Sequence, residues 1–255
     1  MGTDSRALGV ALEAARKAGI AALRGFHGRF RVEYKKDSSP VTAVDRACEE
    51  IIRRTITRAF PRDGFMGEEY GGTGNGAEAF WVIDPIDGTK NFIRGIPFWG
   101  SLIARVVRGK LALGVLDMPA TGETLWAERG RGAWLGRKRI HVSRISSLGR
   151  AFITHGSLRN FVRDGDARKL ERIAAKSATA RSFGDCGAYA LVARGMTDAM
   201  MERGVSPWDS AAPKIIIEEA GGRFTDWSGR DDWRSPTALA TNGLVHRAIL
   251  GILKR

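Results

Sequence analysis

The sequence predicts an α/β (α+β) protein of two closely joined lobes, and three features of the chain support this fold class. Apolar residues recur at helical spacing over residues 5–26 and again over 42–60. Short apolar segments separated by Gly and Pro follow, which is typical of strands joined by tight turns. In the second half, strand-like and helix-like segments alternate, as in layered α/β folds. We place the lobes at residues 1–148 and 149–255, with a cleft between them where binding sites tend to lie.

The first lobe is expected to contain a helix pair followed by a largely antiparallel sheet. The first helix covers residues 5–26, with Asp4 as its N-cap. The second begins at Thr42 and ends at Pro61, because a proline disfavours helical geometry in the residue before it. The strands that the pattern predicts are 80–83, 98–107, 111–116, 123–128 and 132–135.

The second lobe is expected to alternate strands and helices. Its strands are predicted at 151–154, 178–183, 199–202, 222–226 and 238–241. Its helices are predicted at 164–176, 187–194, 207–220 and 244–253.

Length and cysteine content narrow the class of protein. The 255 residues, 43% of them hydrophobic, suffice for a large core. Cys48 and Cys186 lie far apart and form no CxxC pair, which disfavours a disulfide framework or a zinc knuckle and favours a reducing cytoplasm. No apolar run approaches the ~20 residues that span a bilayer, so we expect neither a membrane segment nor a targeting segment.

The chain is strongly basic. Its 41 Lys and Arg against 28 Asp and Glu give a net charge of +13, which would attract phosphorylated metabolites, nucleic acid or acidic lipid. The basic residues are scattered and form no long block of like charge. We therefore interpret them first as a solvated surface and do not expect a nucleic-acid partner.

Carboxylates stand at the ends of apolar segments, where an ordinary surface would not place them. Glu68 follows one such segment, Asp84 and Asp87 end another in DPIDGT, and Asp209 opens an apolar helix. Oxygen ligands that converge from element ends suit a hard divalent cation. An Asp before Pro or Gly is often only a turn former; together, however, the three segments indicate a metal site, which the Ile86 carbonyl is free to join.

The residues after the second aspartate indicate a phosphate site. If a helical turn starts at Gly88–Asn91, its free N–H groups form an anion cradle beside the metal ligands. A divalent ion next to a bound phosphate can activate water and stabilise the leaving alkoxide. The chain contains no GxSxG nucleophile motif, so the sequence favours metal-assisted hydrolysis of a phosphate ester.

The segments GEE, WVIDPIDGTKNF and WDSAAPKIIIEEAGGRF resemble the signatures of the inositol monophosphatase superfamily. The resemblance runs from KKDSSPVTAVD to the last strand, nearly the whole chain. It implies a layered αβαβα fold and a magnesium-dependent, lithium-sensitive phosphomonoesterase with two or three ions. It also suggests a homodimer.

The same resemblance assigns roles to individual residues. Metal ligands would be Glu68, Asp84, the Ile86 carbonyl, Asp87 and Asp209, with Asp45 as the ligand of a further, weaker ion. The catalytic set would be Glu68, Thr89 and Asp87, in which Thr89 acts with Glu68 to orient and deprotonate the attacking water. The Gly88 and Thr89 amides would bind phosphate, and Glu202 would contact the substrate.

Two further segments bear on the choice of ester. RGIPFW and FGDCGAY resemble the histidinol-phosphatase branch, although Gly187 stands where that branch more often has an aromatic residue. Asp185 with Glu202 would offer two carboxylates to a cationic substrate, which suits the ammonium of histidinol phosphate. Asp185 as a helix N-cap is an equally good interpretation. Arg159 is expected at the phosphate rim.

Several functions remain open at this point. The first is a histidinol-phosphatase, the second an inositol-1-phosphate phosphatase, and the third a nucleotide 3′-phosphatase. A regulatory or nucleic-acid-binding protein without turnover is disfavoured, because every expected acid is present and no aromatic cluster accompanies a basic stripe.

Overall fold

A computed structural model describes residues 5–26, 28, 32–34, 40–74 and 77–254. The helices, in chain order, are α1 (Ser5–Gly25), α2 (Ala43–Ala59), α3 (Thr89–Phe92), α4 (Leu158–Arg163), α5 (Ala167–Ala174), α6 (Asp185–Ala193), α7 (Pro207–Glu219) and α8 (His246–Leu253). The strands are β1 (Val32–Tyr34), β2 (Pro40–Thr42), β3 (Gly64–Gly67), β4 (Gly71–Thr73), β5 (Ala79–Asp87), β6 (Gly100–Val107), β7 (Lys110–Met118), β8 (Glu123–Glu128), β9 (Ala133–Leu135), β10 (Lys138–Ile140), β11 (Phe152–His155), β12 (Thr179–Arg181), β13 (Ala199–Arg203), β14 (Arg223–Thr225) and β15 (Thr237–Thr241).

Two sheets organise the described chain. An eight-stranded sheet has the order β10-β9-β8-β7-β6-β5-β3-β4 and is antiparallel except where β3 runs parallel to β5. A five-stranded sheet has the order β12-β11-β13-β15-β14, in which β11 runs parallel to both of its neighbours. β1 and β2 pair separately as a short antiparallel ribbon.

The first helical layer, α1 and α2, covers one face of the larger sheet. α1 turns a stripe of small side chains inward, with Ala11, Ala15, Ala18 and Ala22 all buried. These residues recur every three or four positions and so share one helical face. Because alanine adds so little bulk, the helix axis lies close to α2 and to the sheet beneath it.

The middle helical layer, α6 and α7, lies between the two sheets. α7 is apolar almost all round, as expected for a helix covered on both sides, and buries Ile215, Ile216 and Ile217. Gly114 of β7 allows this contact, since a Cβ there would lie 2.6 Å from Ile215 Cγ2. The third layer, α4, α5 and α8, packs on the far face of the smaller sheet. The layered αβαβα fold is thus confirmed.

Most of the predicted elements are confirmed within a few residues, including both helices of the first lobe and the antiparallel middle strands. Thr42 caps α2 as its N-cap. Asp4 lies outside the described residues. The helix predicted at 164–176 was placed wrongly at its start, because Gly165 adopts a left-handed φ of 78° that separates α4 from α5. The lobe boundary at 148/149 stays a prediction.

Candidate active site

A break in the register of β5 brings Asp84 and Asp87 to one side. Along β6, Asp84 pairs with Leu102 and Asp87 with Gly100, so β5 carries one extra residue between the two acids. Side chains three apart in a regular strand point to opposite faces, and a bulge of this kind cancels that alternation. Asp84 Oδ1 accepts a hydrogen bond of 2.9 Å from the Ile86 amide, which fixes its orientation.

Asp209 reaches the same place from the start of α7. Ser206 and Asp209 form a capping box, in which Asp209 Oδ2 accepts a bond of 2.7 Å from the Ser206 amide. Pro207 occupies the first turn, where a missing N–H is no loss. Asp209 is therefore oriented by a hydrogen bond from the backbone at the start of its own helix.

The three acids form a cluster that fits a cation. One carboxylate oxygen from each of Asp84, Asp87 and Asp209 lies within 4.8 Å of the others. Among the described residues, no Lys or Arg forms an ion pair with any of them. Burial, followed by the neighbouring acids, raises the pKa of Asp84 and of Asp87 well above the usual range. Burial also raises the pKa of Asp209 to about 7. One buried and two half-buried carboxylates that repel one another without a counter-charge suit a divalent ion.

Glu68 and Asp45 lie next to this cluster but are not members of it. Glu68 follows β3, and its charge is one cause of the raised pKa of Asp84. Asp45 closes the capping box of α2, accepting bonds from the Thr42 amide and hydroxyl at 2.8 and 2.6 Å. Its other oxygen lies 3.3 Å from Thr89 Oγ1, the donor of that bond. Burial raises the pKa of Asp45.

Gly88 and Thr89 begin a short helix directly after the strand that carries the acids. Gly88 has a φ of 83°, and a Cβ there would come within 3.0 Å of the Phe98 carbonyl oxygen and 3.4 Å of Asp185 Oδ2. Only glycine fits this position without strain. Thr89 Oγ1 lies 2.9 Å from the Ile86 carbonyl oxygen, so its single hydroxyl proton is shared between that oxygen and Asp45. The helical turn that the sequence predicts at Gly88–Asn91 is therefore present, as α3.

A cavity of about 620 Å³ adjoins this turn. It is lined by Lys90, Asn91, Ile96, Phe98, Phe183 and Asp185, together with glycines from two loops. The Asp185 carboxylate accepts a bond of 3.0 Å from Asn91 Nδ2. Burial raises the pKa of Asp185, an effect that Lys90 and the Asn91 bond partly offset. An acid, a lysine and two aromatic rings thus border one opening.

Glu202 lies beneath one wall of the cavity. A Cβ on Gly156, which lines the opening, would come within 2.6 Å of Glu202 Oε1. Burial, with the charges of Asp185 and Asp209, raises the pKa of Glu202 to about 8. Arg159 is exposed on α4 and is not one of the residues that line the cavity.

The N-cap interpretation of Asp185 is wrong. Gly184 is the N-cap residue of α6, and no side chain caps this helix end. The Asp185 carboxylate instead accepts a hydrogen bond from Asn91. Asp185 itself has a left-handed φ of 58°, which aspartate tolerates better than most residues. Its side chain is directed by a partner across the site rather than by its own helix.

Sequence reasoning missed three hydrogen bonds that hold the site together. The Cys186 amide donates to Asp87 Oδ2, which fastens the first turn of α6 to the acid cluster. Asn91 Nδ2 donates to both the Phe98 carbonyl oxygen, at 2.8 Å, and Asp185. Asn91 lies two residues after the DPIDGT segment, and its position there is the one signal that could have drawn attention to it.

Known proteins match nearly the whole chain. The model of the "Inositol monophosphatase family" matches residues 4–254. A histidinol-phosphatase of Mycobacterium tuberculosis is 41% identical over 225 residues, 86% of each chain. A fructose-1,6-bisphosphatase/inositol-1-monophosphatase of Thermotoga maritima is 36% identical, over 84% of this chain and 82% of the relative.

A solved structure agrees with these sequence matches. The crystal structure of extragenic suppressor protein suhB from Bartonella henselae superposes with a TM-score of 0.92 and 32% identity, over 97% of this chain and 98% of that one. No helix in the described ranges is long and apolar enough to cross a membrane. The chain belongs to the inositol monophosphatase family and is a phosphatase, a hydrolase of phosphoric monoesters.

Proposed function

We propose that the chain is a magnesium-dependent histidinol-phosphatase, which converts L-histidinol phosphate and water to L-histidinol and phosphate. The observation that carries the choice of substrate is the Asp185 carboxylate, which borders the cavity beside the acid cluster without being part of it. A second acid, Glu202, lies under the same wall. Paired acids suit an amine-bearing ester better than one whose alcohol offers only hydroxyls.

In this proposal Asp84, Asp87 and Asp209 hold the principal metal ions with Glu68 and the Ile86 carbonyl, and Asp45 serves a further ion. The mutual repulsion of the three clustered carboxylates supports this ligand set. When bound, magnesium at such a site polarises the phosphoryl oxygens and lowers the pKa of water.

The remaining residues position water and phosphate. Thr89, whose hydroxyl faces Asp45 and the Ile86 carbonyl, acts with Glu68 to orient the attacking water and accept its proton. Asp87 belongs to the same catalytic set. The Gly88 and Thr89 amides face the phosphate, because the first amides of a helix lack an intrahelical acceptor. Arg159 stays a prediction for the phosphate rim.

Inositol 1-phosphate is the second candidate substrate. It is supported by the 36% identical relative from Thermotoga maritima, whose name includes inositol-1-monophosphatase activity. An inositol ring carries no positive charge, so Asp185 would then have only hydroxyl groups to bind. A nucleotide 3′-phosphate is a third candidate, which is supported only by the net positive charge of the chain.

The test is kcat/KM on a panel of phosphomonoesters with magnesium, because discrimination between substrates is read from that ratio. We expect the highest value for histidinol phosphate. Asp185→Asn, which keeps the acceptor for Asn91, should lower kcat/KM for histidinol phosphate about tenfold or more and for inositol 1-phosphate much less. Glu171→Gln, an exposed acid on α5, is the charge-matched control. Equal losses on both esters would reject the amine-binding role of Asp185.

A cytoplasmic location and a homodimer also stay predictions. Sedimentation of the purified protein distinguishes a dimer from the 27.8 kDa monomer.

A further inference from the structure

Gly187 has a specific neighbour in the fold. It lies in the first turns of α6, and a Cβ added to it would overlap the tip of the Phe98 ring. The ring therefore rests directly on the backbone of the helix, in the space that any larger residue at 187 would need.

The side chain and the backbone of Asn91 both bind the loop that carries Phe98. Asn91 Nδ2 donates to the Phe98 carbonyl oxygen at 2.8 Å, and the Ile96 amide donates to the Asn91 carbonyl oxygen at 3.0 Å. The same Asn91 amide group binds Asp185 at 3.0 Å. The positions of the Phe98 ring and of the acid that borders the cavity are thus fixed by a common partner.

Phe98 and Phe183 form one apolar wall of the cavity. Their ring centroids lie 6.3 Å apart with an interplanar angle of 59°, and both residues line the opening. Phe183 is 41% exposed, which is high for a large apolar side chain. Phe152 packs behind Phe183 at 6.3 Å and does not line the cavity. The wall therefore presents aromatic surface that no described residue covers fully.

We propose that the Phe98–Phe183 wall binds a flat ring in the alcohol part of the substrate, and that Gly187 determines this specificity by leaving room for Phe98. The inference rests on the proposed phosphatase site, because the ring would enter the cavity only when the phosphate lies at Gly88. An imidazole ring has the shape and size to lie against such a wall, whereas a puckered polyol ring makes poorer contact with it.

The experiment compares three esters that separate the features of the substrate. Histidinol phosphate has a flat ring and an amine, p-nitrophenyl phosphate has a flat ring alone, and glycerol 2-phosphate has neither. Phe98→Leu should lower kcat/KM about tenfold for both ring-bearing esters, mainly through KM, and should lower it at least threefold less for glycerol 2-phosphate. Phe60→Leu removes a ring that packs against Trp81, away from the cavity, and is the matched control, for which the ratios between esters should not change.

A double-mutant cycle tests the role of Gly187. Gly187→Ala should reproduce the loss of Phe98→Leu in the wild-type background, and in a Phe98→Ala background it should add less than a twofold change, because no ring is left to displace. Additive losses, or equal losses on all three esters, would overturn the inference. If Gly187→Ala does not fold, the Phe98→Leu comparison decides alone.

The outcomes also separate this inference from the proposed function. If the wild type does not prefer histidinol phosphate but Phe98→Leu still discriminates p-nitrophenyl phosphate from glycerol 2-phosphate, the substrate assignment fails and the ring-binding wall stands. If histidinol phosphate is preferred and Phe98→Leu affects all esters alike, the assignment stands and the wall is refuted.

Discussion

The acid cluster predicts that one substitution will abolish activity and yet stabilise the metal-free protein. At a separation of 4.8 Å or less and an effective dielectric of about 20, two unit charges repel by at least about 3.5 kcal/mol. Asp87→Asn removes two of the three pairs in the cluster and retains an oxygen that can accept the bond from the Cys186 amide. Because protonation and relaxation already relieve part of the repulsion, we expect a net gain of about 2 kcal/mol in the free energy of unfolding.

The pH dependence of this gain follows from the direction of the pKa shifts. In the metal-free protein the pKa of Asp209 is raised from 3.8 to about 7, so its contribution to stability is present below 3.8 and is lost as the pH rises through 7. The gain from Asp87→Asn should therefore be largest near pH 8 and smaller at pH 5, where the neighbouring acid is already protonated.

The assay is thermal unfolding at both pH values, with a chelator and then with millimolar magnesium. About 2 kcal/mol corresponds to a rise of roughly 4–8 °C in Tm for a chain of this size. Magnesium should raise the Tm of the wild type by mass action and that of the variant less, while phosphatase activity of the variant is lost. Glu171→Gln controls for a change in net charge. A variant that melts below the wild type in chelator, or that gains as much from magnesium, would refute the reasoning.

Two further predictions concern stability away from the catalytic acids. His246 is 1% exposed, and its burial, together with the charge of Arg223, lowers its pKa from 6.5 to about 4. As the pH falls, the unfolded chain therefore binds a proton at this residue before the folded protein does. About 3 kcal/mol of stability should be lost between pH 6.5 and pH 4. Urea unfolding of the wild type and His246→Asn across this range measures it, and parallel pH profiles would contradict it. Gly114→Ala should destabilise the protein by about 1–3 kcal/mol, because its Cβ would press on Ile215. Gly72→Ala, whose Cβ would have its nearest neighbour 3.5 Å away, is the control. Equal urea midpoints for the two variants would show that α7 shifts to accommodate the Cβ at no cost in stability.

The convergence of the three acids could be predicted from the sequence because its signal is local, whereas their role as metal ligands stays a prediction. Each of Asp84, Asp87 and Asp209 ends or opens an element whose apolar pattern is long enough to detect. What brings them together is less visible. The single extra residue in β5 depends on pairing with β6, and neither strand alone shows where the register will shift.

Features that depend on contacts between distant segments could not be predicted. The sequence shows glycine at position 187, where the histidinol-phosphatase branch that it resembles more often has an aromatic residue. The reason for the glycine is the ring of Phe98, which belongs to a different loop. Asp185 was given two interpretations because its neighbours along the chain allow both, and only Asn91 distinguishes them. Short elements such as β4 and α4 were not predicted, because three to six residues are too few to show a detectable periodicity.

The bond between Cys186 and Asp87 has a consequence for how such a protein can change its substrate in evolution. The donor is a main-chain amide, so the bond needs no particular side chain at 186, and any residue except proline that fits this buried position keeps it. Helix α6 therefore presents Asp185 and Leu191 to the cavity from a backbone that is fixed to the acid cluster. New alcohols can be selected by replacing residues on that helix while the hydrolytic centre keeps its geometry.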